Sequence, residues 1–386
     1  MPLMRIPYTA PLPSPTIFPA AASSVDGAVE ALQNFLSRNV NRNAGGKTLI
    51  LSGAGISVAS GLADYRGIQG TYRLNKTYRP IYFHEFTASH EARKRYWARS
   101  FLGWTTLHRS RPNAAHYAVG KLGSIGYVGK VITQNVDSFH RKAHPNLSSL
   151  ELHGYLRSTV CLTCRTEYDR DRFQEDLSRM NPQWASFLAE MRESGALTTE
   201  DPSERRRLGL KTNPDGDVDV PGVEYSSFRY PPCPKCLKDP ALAKAGKQVI
   251  TDHDGAWAAG SDAGVLKPAV IMFGESISNP VKVAVESAID DSSSMLILGS
   301  SLATYSAWRL VKRAKEQGKA IAAVNIGDSE ARSNSLSTWQ QMVTGRGRQM
   351  QLASRRSPTS TRRSHRTSRS SSEAFPASSL AIIGAN

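Results

Sequence analysis

Short apolar runs that stop at glycines or small polar residues constrain this chain most. They fall at 48–51, 128–133, 269–273, 295–298 and 321–324. Segments of helical period separate them, such as 305–318, where Trp308, Leu310, Val311 and Ala314 lie on or near one face and Gly318 supplies a stop. Apolar strands alternating with helices predict a doubly wound parallel sheet covered on both faces, a Rossmann-like α/β fold. Ligands of such sheets bind beyond the carboxyl ends of the strands.

The residues after each run carry the chemistry. Gly53-Ala54-Gly55-Ile56-Ser57 follows the first, and Gln134-Asn135-Val136-Asp137 the second. Gly299-Ser300-Ser301 and Asn325-Ile326-Gly327 follow the last two. Glycines permit a close backbone approach to a pyrophosphate, and hydroxyls and amides supply hydrogen bonds, so one crevice is predicted to hold a nucleotide. A dehydrogenase fingerprint would place a third glycine where Val58 stands and an acid about 20 residues further on. Here the chain instead reaches Asp64-Tyr65-Arg66-Gly67. A dinucleotide held in a different way is expected.

All four cysteines fall in two Cys-x-x-Cys pairs, Cys161/Cys164 and Cys233/Cys236. Two such knuckles complete a tetrahedron of thiolates around one zinc ion, and the filled coordination shell makes the site structural. Disulfides suit small secreted domains, and a redox pair would need only one motif. The knuckles are separated by 165–232, too long for a compact zinc ribbon. An insertion is expected there, with a helix over 170–180 and a polar stretch, Asn213-Pro214-Asp215-Gly216-Asp217, looping out and partly mobile.

At 386 residues, 40% apolar and 21% charged, the chain suits a soluble globular protein of one or two domains. No apolar stretch approaches the roughly 20 residues that cross a bilayer, so no membrane partner is expected. The net charge is +16, and half of that excess is eight arginines between 346 and 369. That Ser/Arg-rich tail is expected to be disordered, with phosphate or acidic partners as the alternative. Residues 1–25 are Pro-rich with Arg5 the only base, a poor match to a mitochondrial presequence or a secretory signal.

Together, "GAGISVASGLADYRG", "TQNVDSFHRKA", "ELHG", the two cysteine pairs, "KPAVIMFGE", "GSSL" and "NIG" resemble the sirtuins, NAD-dependent protein deacylases, in the family's order over residues 32–327. "YWARSF" and "NPDGDV" look like the mitochondrial class II branch that includes sirtuin four. The resemblance implies a large Rossmann-type domain and a small zinc module, with NAD and an acylated lysine meeting between them. By this likeness the chain divides into a Pro-rich segment (1–27), a first Rossmann part (28–152), a zinc module with its insertion (153–264), a second Rossmann part (265–330) and the tail (331–386).

It also implies roles. His153 is the expected general base, with imidazole chosen because its pKa lies near working pH. Asn135 orients the ribose hydroxyls and Asp137 holds the carboxamide of nicotinamide. Gly53, Ala54, Gly55, Ser57, Gln134, Val136, Gly299, Ser300, Ser301, Asn325, Ile326 and Gly327 surround the rest of NAD. Asp64, Tyr65 and Arg66 form a flap closing over it. Val270, Phe273, Gly274 and Glu275 border the acyl-lysine cleft. One structural Zn2+ sits on Cys161, Cys164, Cys233 and Cys236.

The implied partners are acylated lysine side chains of proteins, and the implied location is the mitochondrial matrix, with nucleus or cytoplasm as the alternative. Protein mono-ADP-ribosyl transfer is a second reading of the same pocket. A zinc-ribbon nucleic-acid binder is a remoter one, because no aromatic residues interleave with the tail's arginines for base stacking. Two departures from the family stand out. Leu62-Ala63 replaces the usual isoleucine-proline. The family's last helix and strand, which help enclose the adenine, have no counterpart in 336–364, leaving a divergent tail or a shifted reading frame.

Overall fold

The computed structural model describes residues 17–40, 46–67, 70–74, 78–194, 211–220, 222–326 and 381–385. Six strands form one sheet in the order β11-β10-β9-β1-β2-β3, with every neighbouring pair parallel. They are β1 (Thr48–Ser52), β2 (Val128–Thr133), β3 (Ser149–Glu151), β9 (Ser294–Leu298), β10 (Ala320–Ile326) and β11 (Ala381–Ala385). The four apolar runs at 48–51, 128–133, 295–298 and 321–324 are all strands of this sheet. All five residues of β1 are buried, as expected of a strand covered on both faces.

Alternation along the strands sends successive side chains to opposite layers. Leu49, Leu51, Met295 and Ile297 meet Val285 and Ile289 of helix Asn279–Asp290 and Leu310 and Val311 of helix Tyr305–Glu316. Ile50 and Leu296 meet Phe35 and Leu36 of helix Val25–Val40 and Val119 of helix Ala114–Ser124. The chain runs outward from β1 through β2 and β3, then returns to β9 on the other side. The strand order therefore reverses at β1/β9, which makes the carboxyl end of that pair the switch point where a ligand crevice opens.

A second, antiparallel sheet has the order β5-β4-β8, made of β4 (Gly154–Cys161), β5 (Glu167–Asp169) and β8 (Leu266–Val270). This corrects the expectation for 269–273. The strand there starts earlier, at Leu266, and pairs with β4 of the zinc lobe rather than with the parallel sheet. A short apolar run signals a buried strand without naming its partner. The expected division at 265 consequently falls just ahead of a strand that belongs with the zinc lobe.

The insertion folds as helices Arg170–Met180 and Pro182–Glu193, followed by a small hairpin of β6 (Lys211–Thr212) and β7 (Val218–Asp219). The first helix has its expected bounds. The Asp169 carboxylate accepts from the backbone N–H groups of Asp171 and Arg172 at its start. Phe173 and Leu177, one turn apart, enter a core with Trp97 and Phe101 of helix His90–Arg109, Phe228 and three of the zinc-site cysteines. Arg93 on helix His90–Arg109 is held within this same core. Its Nε donates to the Tyr230 hydroxyl at 2.7 Å, its Nη1 to the carbonyls of Phe86 and Thr87, and its guanidinium lies 4.5 Å over Trp257.

The stretch expected to loop out does not do so over Asn213–Asp217. It docks on helix His90–Arg109, where Asp217 pairs with Arg99 at 2.6 Å. Gly103 makes that contact fit, because a Cβ there would lie 1.8 Å from the Gly216 carbonyl oxygen. The tail needs a correction of the same kind. Ala381–Ala385 forms β11, paired with β10 from Ala322↔Ala381 to Ile326↔Ala385. Its sequence, Ala-Ile-Ile-Gly-Ala, carries none of the arginine that fills 346–369, so the edge of the sheet can accept it. Among the described residues no helix is long and apolar enough to cross a membrane.

Candidate functional site

Three loops converge at the carboxyl ends of β1, β2 and β9, beside the end of β10. The loop after β1 interlocks with the loop after β9: Gly53 N–H donates to the Leu298 carbonyl at 3.0 Å and Gly55 N–H to the Gly299 carbonyl at 2.8 Å. A Cβ on Gly55 would sit 2.8 Å from the Gly299 oxygen, and one on Gly53 would sit 2.8 Å from the Ser300 Cβ. Gly299 itself has φ +59°, and a Cβ there would reach within 2.3 Å of the Ile56 nitrogen. These glycines were expected to make room for a pyrophosphate. In this fold they make room for each other's loops, and the crevice rim follows from that contact.

Inside the rim the polar side chains form one network. Gln134 Nε2 donates to the Ser300 hydroxyl at 2.7 Å and the Ser52 carbonyl at 3.2 Å. Asn135 Nδ2 donates to the Gly53 carbonyl and the Ser57 hydroxyl. Ser57 in turn donates to Asp137 at 2.7 Å, and the Phe139 N–H donates to the other Asp137 oxygen at 2.9 Å. Burial pushes the Asp137 carboxyl up despite those two bonds. Asn325 Nδ2 donates to the Ser300 carbonyl at 3.2 Å. Ala54 opens the 3-10 helix Ala54–Ser60, Val136 packs with Leu62 and Phe139, Ser301 follows Ser300 in the same loop, and Ile326 ends β10. Gly327 lies outside the described residues.

His153 follows β3 and faces this network. Its Nδ1 lies 3.0 Å from the Gln134 carbonyl oxygen and its Nε2 lies 2.8 Å from the Ser306 hydroxyl. A carbonyl only accepts, so Nδ1 carries the proton and Nε2 offers a lone pair. Burial holds the ring's pKa below its usual value, and the Gln134 carbonyl opposes that effect. The His153 carbonyl accepts from the Ile271 N–H at 2.7 Å, which fastens the 271–275 turn to the backbone that carries this imidazole.

That turn carries the expected substrate residues. Glu275 accepts from the Met272 N–H at 2.9 Å and pairs with Lys267 at 3.2 Å. Lys267 is 97% buried and also donates to the carbonyls of Pro268 and Val270. Gly274 adopts φ +83°, the left-handed conformation that glycine tolerates. The Phe273 ring meets the Tyr65 ring edge-on at 6.4 Å.

The flap residues are held from the other side. Both Asp64 oxygens accept from the Gly67 N–H, and burial raises the Asp64 carboxyl. The Arg66 guanidinium lies 5.1 Å over the Tyr72 ring. Tyr65 donates its hydroxyl to Asp215 of the docked insertion at 2.7 Å. Burial, with Asp217 as a second cause, pushes Asp215 up to about 6. Asp215, Asp217, Lys267 and Ser306 were not among the expected site residues, although the first three lie in "NPDGDV" and "KPAVIMFGE" and Ser306 stands five residues beyond the Ser300-Ser301 pair.

The four cysteine sulfurs lie within 4.8 Å of one another, with Cys161–Cys236 and Cys164–Cys233 both 3.6 Å apart. A tetrahedral Zn–S bond of about 2.3 Å separates sulfurs by about 3.8 Å, so the donor set fits zinc.

The family model described as Sir2 family matches residues 53–306. NAD-dependent protein deacylase SIR4 of Batrachochytrium dendrobatidis is 38% identical over 79% of this chain and 87% of its own length. NAD-dependent protein deacylase SRT2 of Arabidopsis thaliana is 36% identical over 73% of this chain, which spans 66% of that relative. A solved Sir2–p53 peptide–NAD+ complex is 19% identical, covers 83% of this chain and 99% of its own, and gives a TM-score of 0.48. With its glycine-rich crevice, imidazole and four-thiolate lobe all inside the matched span, this chain belongs to the Sir2 family.

Proposed function

We propose that this protein is an NAD-dependent protein lysine deacylase. One observation carries the reading. His153 joins the nucleotide loops through the Gln134 carbonyl and the 271–275 turn through Ile271, so a single imidazole stands where a dinucleotide and a peptide would meet. The names of the two relatives, both NAD-dependent protein deacylases, support it.

The residues fit the cofactor by their donor set. Asn135, Ser57, Gln134 and Ser300 present amide and hydroxyl groups to one crevice at the switch point. NAD, when bound, supplies a ribose carbon whose nicotinamide leaves readily. Asn135 would orient the ribose hydroxyls, Asp137 would hold the carboxamide, and Tyr65 with Arg66 would cover the site against water. His153 Nε2, unprotonated in the resting ring, would take a proton from a ribose hydroxyl and so activate it. The backbone of 270–275 would receive the acylated peptide as an added strand. Cys161, Cys164, Cys233 and Cys236 would hold zinc, which fixes the small lobe and takes no part in the chemistry. With one water consumed as the lysine nitrogen leaves the acyl carbon, the products are nicotinamide, the free lysine and O-acyl-ADP-ribose.

The test is a panel of acetyl, long-chain, dicarboxyl, lipoyl and biotinyl lysine peptides incubated with NAD. Nicotinamide release that depends on one of these peptides is expected, with the acyl group recovered on ADP-ribose. Silence across the panel would overturn the reading, and label from NAD fixed on protein would favour ADP-ribosyl transfer instead. The likeness of "YWARSF" and "NPDGDV" to mitochondrial class II sirtuins supports a matrix location, which import into isolated mitochondria would test.

A further inference from the structure

Ser306 is the second residue of helix Tyr305–Glu316, and its hydroxyl sits 2.8 Å from His153 Nε2. With the Gln134 carbonyl 3.0 Å from Nδ1, both edges of the imidazole are engaged. We infer that Ser306 is a positioning residue that lets a buried, carboxylate-free imidazole hold a proton in either charge state. This rests on the reading of His153 as the base.

Bases of this kind are commonly steadied by an acid, but the ionisable groups on the surrounding elements are bonded elsewhere. Glu151 on β3 is paired with Arg157 on β4, at 2.6 Å. Asp137, on the loop after β2, accepts from Ser57 and from the Phe139 N–H. Glu275 is paired with Lys267, and Arg309 on the Ser306 helix with Glu286. The hydroxyl does what none of them does. A serine O–H donates to the Nε2 lone pair of the neutral ring, and after rotation its oxygen accepts from the Nε2–H of the charged ring. The second bond is charge-assisted and about twice as strong as the first. Ser306 therefore favours the imidazolium on balance and offsets part of the burial that disfavours it. It also fixes the ring plane, so that a ribose hydroxyl which displaces the serine O–H meets an aimed lone pair.

The experiment uses the full zinc-loaded chain labelled with 15N-histidine. Nitrogen–proton correlation spectra are followed between pH 4 and 9, with the His153 signals assigned by their loss in His153→Gln. The wild type is expected to show the Nδ1–H tautomer at high pH. Ser306→Ala should lower the His153 titration midpoint by about half to one pH unit, and Ser306→Thr, which keeps the hydroxyl, should restore it. With an acylated peptide and NAD, the acid limb of kcat/KM should move with the midpoint. An Nε2–H tautomer in the wild type, or a midpoint that stays or rises in Ser306→Ala, overturns the inference. The wild-type tautomer alone decides if the alanine variant fails to fold. Absence of turnover in the wild type would sink the deacylase reading while the titration still judged Ser306.

Discussion

Asp215→Asn gives the sharpest check on how the insertion is held against the flap. Asp215 accepts the Tyr65 hydroxyl at 2.7 Å, and Asp217, two residues on, carries a second carboxylate committed to Arg99. Burial first, and Asp217 second, raise Asp215 from 3.8 to about 6. Between those two values the folded chain keeps a proton that the unfolded chain has released, so this group's contribution falls as pH rises. The cost is absent below about pH 4 and complete above about pH 6. Two pH units correspond to about 3 kcal/mol as an upper bound, and partial exposure reduces it to roughly 1–3 kcal/mol. Asparagine keeps an oxygen for Tyr65 and removes the charge. Urea unfolding of both proteins from pH 4 to 8 should show them equal at the acid end, with the variant more stable by about that amount at pH 7–8. A variant that is less stable at pH 8, or a difference that does not change with pH, would refute the reasoning.

Gly55→Ala should spread the loops after β1 and β9, since its Cβ would meet the Gly299 backbone at 2.8–3.1 Å. NAD affinity measured by calorimetry should fall tenfold or more, about 1.4 kcal/mol, and wild-type affinity would contradict the interlock. Cys161→Ser should lose zinc and melt earlier, because a structural metal contributes to folding; an unchanged melting curve with no bound zinc would contradict it. Burial, with neighbouring imidazoles, lowers His116 to about 4 and His140 to about 3. Both groups bind protons more readily when unfolded, so stability is lost as pH falls below about 6.5. Their ring signals should remain those of neutral imidazole at pH 5, and titration near 6.5 in the folded protein would contradict this.

What could be read from the sequence follows from how far each interaction reaches along the chain. Strands β1, β2, β9 and β10 were legible because a strand buried on both faces is apolar throughout. The helix Arg170–Met180 was legible because its cap and its Phe173/Leu177 stripe are local. Strand β8 went to the wrong sheet because apolarity does not specify a partner. The contact of the Gly53/Gly55 pair with a loop almost 250 residues away was not legible, because it is not local. The contacts of Asp215 and Ser306 were invisible for the same reason: Tyr65 meets Asp215 across 150 residues and His153 meets Ser306 across 153. The residues expected around NAD were found through a family likeness, and the fold brings Gly53, Ser57, Gln134, Asn135, Asp137, Ser300 and Asn325 into one network.

The most direct measurement pairs NAD binding with turnover in His153→Tyr. Calorimetry should show that the variant still takes up NAD, because the cradle of β1, β2 and β9 loops is untouched. The same preparation should form no free lysine and no O-acyl-ADP-ribose from an acylated peptide that the wild type consumes. Turnover at the wild-type rate in this variant would contradict the assignment of the imidazole as the group that moves the proton.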